Sequence, residues 1–241
     1  MEILIDVDGT ISKYNQTLYL AICNRKLKLG IDEELLSNMN TSDFFALPEV
    51  TAYRTRIGEQ RYQWNLQLLG LDPELQRQMD IIDGAIEGTH YLEQMGVLGY
   101  CTARKTIWHE RLNEAMARAT RYWLKVNGFP HHQDTVFVTG PLEKLRYCAT
   151  HIEETGEEII LIDDSYEHLL GSANELPEEQ HDLLRKHLTL WAFGAKELKL
   201  PEDTPLRALS FPAWNQVEQM LASYPSLSKS ALSRLGSEGF L

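Results

Sequence analysis

The sequence has no long apolar run, few cysteines and fewer basic than acidic residues, and each shortage excludes a class of protein. No part of its 241 residues approaches the roughly 20 consecutive apolar residues of a membrane-spanning helix. The N-terminus also lacks a basic segment followed by an apolar secretory stretch. We therefore expect a cytoplasmic protein with no membrane partner.

Cysteine content and net charge narrow the class further. Cys23, Cys101 and Cys148 are widely separated, odd in number and without zinc-site spacing, so reduced thiols are expected. The chain has 23 basic and 35 acidic residues, a net charge of −12. This charge opposes nonspecific binding to a nucleic-acid backbone, although a local basic groove is compatible with it. Nucleic acid is thus not the expected partner, and the composition does not indicate an oligomeric state.

The most informative stretch is residues 1–11, MEILIDVDGTI. Its apolar run ILI predicts a buried strand, and Asp6 and Asp8 follow where that strand should end. Gly9 and Thr10 predict a sharp turn that bends the second carboxylate over the first. Two anions this close are unfavourable unless a cation or a shared proton compensates them, and a divalent ion is the simplest compensation. An Asx-turn or a helix cap is the alternative interpretation.

Residues 13–80 have a helical pattern, and no strand is predicted among them. The longest helix is expected to run unbroken from about residue 50 to 69. A helical block of about 70 residues is too long for an ordinary connection between the elements of an α/β protein. We therefore predict an inserted, all-helical subdomain at residues 13–80.

The remaining chain alternates strands and helices, which predicts a parallel sheet covered on both faces. We expect residues 1–12 and 81–224 to form this three-layer, Rossmann-like α/β core. The serine-rich residues 225–241 are expected to form a flexible tail. Parallel strands place ligand sites beyond their carboxyl ends, which share one edge. Four predicted strand ends lie at this edge: Asp6, Thr102, Gly140 and Asp163.

Polar residues near these strand ends have structural as well as functional interpretations. Thr102, in YCTAR, is compatible with a satisfied core hydroxyl or with a helix cap. Arg104 is compatible with a solvated surface charge or with a charge-assisted contact to a ligand. Lys144, in TGPLEKLRY, stands near a predicted helix start, where Arg146 is a close competitor for any role.

Asp163 and Asp164 end the strongest predicted strand, in EEIILIDDS. Two adjacent carboxylates buried there are unfavourable unless a positive charge compensates them. The alternative interpretation is that one of them caps the next helix.

In chain order, ILIDVDGTI, Thr102, Lys144 and this Asp pair resemble the four motifs of the haloacid dehalogenase-like (HAD) phosphatase superfamily. The helical block stands where many members of that superfamily carry a mobile cap.

The resemblance implies a reaction and a role for each motif residue. Asp6 would be the nucleophile that forms an aspartyl-phosphate, and Asp8 the general acid and base. Mg²⁺ would be held by the Asp6 carboxylate, the Asp8 backbone carbonyl and Asp163, with Asp164 in support. Thr102 and Lys144 would stabilise the transferring phosphoryl group. The residues expected to bind the substrate are Thr102, Ala103, Arg104 and Lys144.

The substrate implied by the resemblance is a small phosphomonoester. The order of segments loosely resembles nucleotidases and the phosphatase module of polynucleotide kinase-phosphatases, which favours a nucleotide. A polynucleotide-end (3′-) phosphatase, a phosphomutase and a non-catalytic HAD-like binding scaffold are the alternatives. The candidates for specificity residues in the helical block are Arg54, Arg56, Arg61, Tyr62 and Trp64.

Overall fold

The computed structural model describes residues 1–107, 109–200 and 204–222. The predicted tail at residues 225–241 lies outside the described residues. The strands are, in chain order, β1 (Glu2–Ile5), β2 (Ser12–Lys13), β3 (Asp80–Ile81), β4 (Val97–Thr102), β5 (Thr135–Phe137), β6 (Ile159–Asp163), β7 (Leu188–Phe193) and β8 (Arg207–Phe211).

Six of these strands form one parallel sheet in the order β5-β4-β1-β6-β7-β8. Strand β1 lies between β4 and β6, and its Ile5 is paired with Tyr100 on one side and Ile162 on the other. All neighbouring pairs are parallel, so the carboxyl ends of the strands lie at the same edge. The predicted parallel sheet and α/β class are confirmed.

The helices of residues 85–222 cover both faces of this sheet, and the helices of residues 16–76 pack in a separate cluster. The helices are α1 (Gln16–Leu27), α2 (Glu33–Ser37), α3 (Thr41–Ala46), α4 (Pro48–Ile57), α5 (Glu59–Gly70), α6 (Pro73–Gln76), α7 (Ala85–Glu93), α8 (Glu110–Val126), α9 (Pro141–Thr155), α10 (Tyr166–Ala173), α11 (Glu178–His187) and α12 (Val217–Ala222), with a 3₁₀ turn at Trp214–Gln216. Because side chains alternate along β1, Ile3 and Ile5 pack under α7, α8 and α12. Leu4 points to the opposite face and packs with α9, α10 and α11.

The helical segment, residues 14–79, contains α1 to α6 and has a hydrophobic cluster of its own. Leu20, Phe44 and Tyr62 are among its buried members. The prediction of no strand in this region was wrong at its two ends, where β2 and β3 form an antiparallel pair. Two-residue strands are too short for an alternating pattern to show in the sequence.

The predicted unbroken helix from about residue 50 to 69 was also wrong. Gly58 has φ +83° and separates α4 from α5. This backbone conformation is readily available to glycine and strained for other residues, so the chain turns there although the apolar pattern continues.

Two further expectations concern cysteines and membranes. Cys23, Cys101 and Cys148 are buried free thiols, as predicted. Among the described residues, no helix combines the length and the apolar character needed to cross a bilayer.

Candidate active site

Three charged residues meet at the carboxyl edge of the sheet. Asp6 follows β1, Asp163 ends the neighbouring β6, and Lys144 lies in the first turn of α9. The Lys144 Nζ atom lies 2.8 Å from Asp6 Oδ1 and 2.5 Å from Asp163 Oδ2. All three side chains are at most 7% exposed. The parallel topology therefore joins residues that are 138 and 19 positions apart in sequence.

The structure distinguishes Lys144 from its competitor Arg146. Helix α9 begins at Pro141, and this start directs Lys144 inward toward the strand ends. Arg146 is exposed and lines a groove on the outside of the sheet edge. Lys144 is thus the basic residue that this helix brings to the site.

Burial and charge perturb both members of the Asp6–Lys144 pair. Burial raises the pKa of Asp6 to about 8, and repulsion from Asp163 and Asp8 adds to this effect, while Lys144 opposes it. Burial alone would lower the pKa of Lys144, but attraction to Asp6 and Asp163 outweighs it and holds the pKa above its ordinary value. Lys144 is therefore a permanent cation, and the site around it has an excess of acidic groups.

Asp6, Asp163 and Asp164 form a group that fits a divalent cation. Each offers one carboxylate oxygen, and these oxygens all lie within 4.8 Å of one another. When all three carboxylates are ionised, two negative charges remain uncompensated beside the one ammonium, and a divalent ion would balance them. Burial, with repulsion from Asp163, raises the pKa of Asp164 to about 6. A set of oxygen donors is the set that Mg²⁺ prefers.

Gly9 allows Asp164 to approach the acidic turn. A Cβ atom at Gly9 would lie 2.0 Å from Asp164 Oδ2, and the residue has φ +76°. Both space and backbone conformation therefore require glycine at this position. Thr10 completes the contact, because its Oγ1 accepts a hydrogen bond from the Asp164 backbone N–H at 3.0 Å. Trp214 Nε1 in turn donates to the Thr10 carbonyl oxygen at 2.7 Å.

Asp8 faces a different cation from Asp6. Arg104 donates two hydrogen bonds to Asp8, from Nη2 to Oδ1 and from Nε to Oδ2, and each is 2.7 Å long. Its remaining donors contact Thr120 Oγ1 at 2.8 Å and Met79 Sδ at 3.0 Å, and the residue is 1% exposed. Each of the two carboxylates thus contacts its own basic side chain, Asp6 that of Lys144 and Asp8 that of Arg104.

Arg104 was predicted to bind the substrate, and Asp8 was predicted to contribute to the metal site. Arg104 lines the cavity at the site, but its donors are directed to Asp8, Thr120 and Met79 rather than to a ligand position. The Asp8 carboxylate is likewise not a member of the group of three acidic side chains that could hold an ion.

Thr102 and Ala103 occupy the end of β4 beside Asp6. Thr102 is fully buried, and its Oγ1 has no hydrogen-bond partner within the described part of the chain. It is therefore not the satisfied core hydroxyl that was one interpretation of the sequence. A buried hydroxyl without a partner is unfavourable, but Thr102 is not among the residues that line the cavity at this site. Ala103 lines the cavity next to it.

A cavity of about 260 Å³ adjoins these groups. The core contributes Asp6, Asp8, Lys144 and Asp163 to its lining, and the helical segment contributes Tyr14, Leu71 and Gln76. Sequence reasoning missed Tyr14, Gln76 and His168. His168 follows the Asp163–Asp164 pair in the first turn of α10, so its place could have been inferred from that motif. Only tertiary packing brings Tyr14 and Gln76 to the site.

A second cavity of about 620 Å³ shares Tyr14, Leu71 and Ala103 with the first. Trp64 and Lys105 line it and are partly exposed. Of the five specificity candidates, only Trp64 lines a cavity adjoining the acidic group. The others lie elsewhere: Arg54 is paired with Glu59, Arg56 lies over the ring of Tyr53, Arg61 lines a separate surface groove, and Tyr62 is buried in the helical cluster.

Comparisons with known proteins give matches among solved structures alone. No protein-family model matches the chain, and no curated protein matches its sequence. A protein of Burkholderia xenovorans LB400 described as a haloacid dehalogenase-like hydrolase is 14% identical, over 93% of this chain and 97% of that one, with a TM-score of 0.47.

Two more solved structures resemble this chain with similar sequence identities and TM-scores. A HAD-superfamily hydrolase of subfamily IA, variant 1, from Geobacter sulfurreducens PCA is 17% identical, over 91% of this chain and 95% of that one, with a TM-score of 0.47. A haloacid dehalogenase-like family hydrolase from Xanthomonas campestris is 14% identical, over 99% and 98%, with a TM-score of 0.44. Similarities at this level assign neither a reaction nor a substrate.

Proposed function

We propose that this chain is a HAD-like, Mg²⁺-dependent phosphohydrolase acting on a small phosphomonoester such as a nucleotide, in the cytoplasm. The observation that carries the proposal is the position of the Lys144 ammonium between Asp6 and Asp163, with Asp164 completing an acidic group beside a cavity. Perturbed carboxyl groups in a cleft are typical of catalytic sites.

Asp6 is the proposed nucleophile, because Lys144 favours its ionised form and the cavity lies next to it. Its carboxylate oxygen bonds to phosphorus while the bond from phosphorus to the leaving oxygen breaks, which gives an aspartyl-phosphate. Water then attacks phosphorus, and the Asp6 carboxylate and inorganic phosphate are released. When bound, Mg²⁺ held by Asp6, Asp163 and Asp164 would supply positive charge to the phosphoryl oxygens.

Asp8 is the proposed proton donor and acceptor. In its protonated form, with one Arg104 contact released, it transfers a proton to the leaving oxygen in the first step and becomes ionised. In the second step it removes a proton from the attacking water, which restores the protonated form. The Arg104 contacts orient its carboxyl group, so Arg104 acts through Asp8. The Lys144 ammonium offsets phosphoryl charge.

The helical segment is the proposed cap over this site. Tyr14, Leu71 and Gln76 line the same cavity as the acidic groups, so a bound phosphate would contact both parts of the chain. The cavity of about 260 Å³ is near the lower end of ligand pockets, which are about 300–1,000 Å³. It suits a phosphoryl group and the first atoms of a leaving group, while the larger second cavity suits the remainder.

The test is hydrolysis of p-nitrophenyl phosphate with Mg²⁺ and with a chelator. We expect wild-type activity to require the metal and Asp6→Asn to lower kcat by at least about 10³-fold. Asp83→Asn, which changes an exposed carboxylate outside the cavity, is the matched control and should retain wild-type activity. Equal rates for wild type and Asp6→Asn would exclude Asp6 as the nucleophile.

A panel of nucleotides, sugar phosphates and a 3′-phosphorylated oligonucleotide tests the alternative of a non-catalytic binding scaffold. Retained Mg²⁺ binding with no hydrolysis of any of these esters would indicate such a scaffold.

A further inference from the structure

Gln76, at the end of α6, carries a polar atom that the mechanism above does not use. The residue is 0% exposed and lines the cavity that contains Asp6 and Asp8. Its Nε2 donates to the Gly70 carbonyl oxygen at 2.7 Å. Its Oε1 has no hydrogen-bond partner within residues 1–107, 109–200 and 204–222. A buried acceptor of this kind is costly unless a ligand satisfies it.

The orientation of the Gln76 amide is set by its surroundings. Exchange of the two amide atoms would place Oε1 against the Gly70 carbonyl oxygen and bring two acceptors together. The Tyr14 hydroxyl also donates toward the Gly70 carbonyl, at 3.3 Å, and is therefore directed to the same oxygen. The group that Gln76 presents to a ligand is consequently an acceptor.

An acceptor in this position selects for one kind of chemical group. Phosphoryl oxygens are anionic acceptors, so the Gln76 carbonyl oxygen repels them and cannot serve the transferring group. It needs a hydroxyl or N–H donor. Gln76 belongs to the helical segment, whereas Asp6 and Lys144 belong to the core, and all three line the same cavity. In the proposed mechanism the core residues bind the phosphoryl group, so the helical segment is the part of the lining left for the leaving group.

We propose that Gln76 is a specificity-determining residue, which accepts a hydrogen bond from a hydroxyl on the leaving group, one carbon away from the ester carbon. This inference rests on the proposed phosphohydrolase function and narrows its substrate class to phosphate esters of polyols and sugars, including nucleosides. A site built to bond a substrate hydroxyl rejects analogues that lack it, because its own polar group is then left unpaired.

The experiment compares 2-hydroxyethyl phosphate with ethyl phosphate, which differ by the one hydroxyl group. We expect wild type to prefer the hydroxylated ester by about tenfold or more in kcat/KM. Gln76→Met, which removes the acceptor at similar length, should abolish this preference by lowering kcat/KM for the hydroxylated ester alone. Gln76→Glu keeps the acceptor and should retain the preference. Gln78→Met, which changes an exposed glutamine that lines neither cavity, is the matched control and should behave as wild type.

Two outcomes would overturn the inference. One is wild type hydrolysing both esters equally, a result that needs no variant and so does not depend on how variants fold. The other is Gln76→Met lowering both rates by the same factor, as expected if Oε1 bonds a water molecule or has a structural role only. Failure of the proposed function would look different, since wild type would then hydrolyse neither ester nor p-nitrophenyl phosphate.

Discussion

Arg104 holds both carboxylate oxygens of Asp8, through Nη2 and Nε at 2.7 Å each. Because Arg104 is itself fixed by Thr120 and by Met79, it has little freedom to follow a moving partner. A planar guanidinium that contacts a carboxylate at two points defines the plane and direction of that carboxylate. The orientation of the proposed proton donor is therefore determined from the buried side of the site.

Arg104→Lys should separate proton transfer from cation binding. Lysine cannot make the two-point contact, so Asp8 loses its fixed direction, and we expect kcat to fall about 10- to 100-fold. The increase in Tm on adding Mg²⁺ should persist, because the Asp8 carboxylate is not among the three that could hold the ion. Thr120→Val leaves both contacts to Asp8 but removes one of the bonds that fix Arg104, so it should lower kcat less than Arg104→Lys does. Loss of the Mg²⁺-induced Tm increase in Arg104→Lys would contradict this assignment.

Lys144→Met should be strongly destabilising. It leaves Asp6 and Asp163 buried without their ammonium partner, and breaking a buried ion pair costs about 3–5 kcal/mol in the free energy of unfolding. Urea denaturation monitored by circular dichroism measures this loss. Arg146→Met, two residues away on the exposed side of the same helix, should change stability by less than about 0.5 kcal/mol. Similar losses in the two variants would show that Lys144 is not the compensating charge.

Cation binding should strengthen as the pH rises. Burial raises the pKa of Asp6 to about 8 and that of Asp164 to about 6, so below these values the cation must displace protons. Without the cation, stability has the opposite trend. Folded carboxyls with raised pKa bind protons more tightly than unfolded ones, so the free energy of unfolding falls as the pH rises from about 4 to 8.

Thermal unfolding with and without Mg²⁺ checks this pH dependence. The increase in Tm caused by the ion should be larger at about pH 8.5 than at about pH 5.5, since Asp6 and Asp164 are both mostly ionised only at the higher value. Asp6→Asn removes one titrating group and should reduce the difference between the two pH values. An equal increase in Tm at both would contradict the raised pKa values.

Trp64→Ala should affect large substrates selectively. Trp64 is 42% exposed and lines the second cavity, where its ring can pack against a planar leaving group. We expect KM to rise about 3- to 10-fold for a nucleoside monophosphate and to stay constant for 2-hydroxyethyl phosphate. Tyr122→Ala, which removes an exposed aromatic ring from α8, is the control and should change neither value. A rise in KM for both substrates would place Trp64 outside the leaving-group site.

Local sequence patterns were sufficient for the parts of the site that lie at strand ends. The run ILI followed by Asp6, and the run IILI followed by Asp163, each predicted a strand and the polar residue at its end. Parallel pairing of these strands then brings the two residues together. No long-range information was needed beyond the topology that alternating strands and helices imply.

Contacts between residues far apart in sequence could not be predicted from local patterns. The partner of Arg104 lies 96 positions away, and nothing around Arg104 indicates that its donors are directed to Asp8. The choice between Lys144 and Arg146 depends on where α9 begins, which fixes the side of the helix that faces inward. Gly58 interrupts an apolar pattern that continues on both sides, so periodicity alone predicts one helix where two exist.

The hydrogen bond from Trp214 to the Thr10 carbonyl has a consequence for protein synthesis. A ribosome must add 204 residues between the acceptor and the donor of this bond. The turn that carries Asp6 and Asp8 is therefore translated long before Trp214, and in the nascent chain it lacks this hydrogen bond. A nascent chain arrested before Trp214 should consequently be inactive even with every motif residue already made.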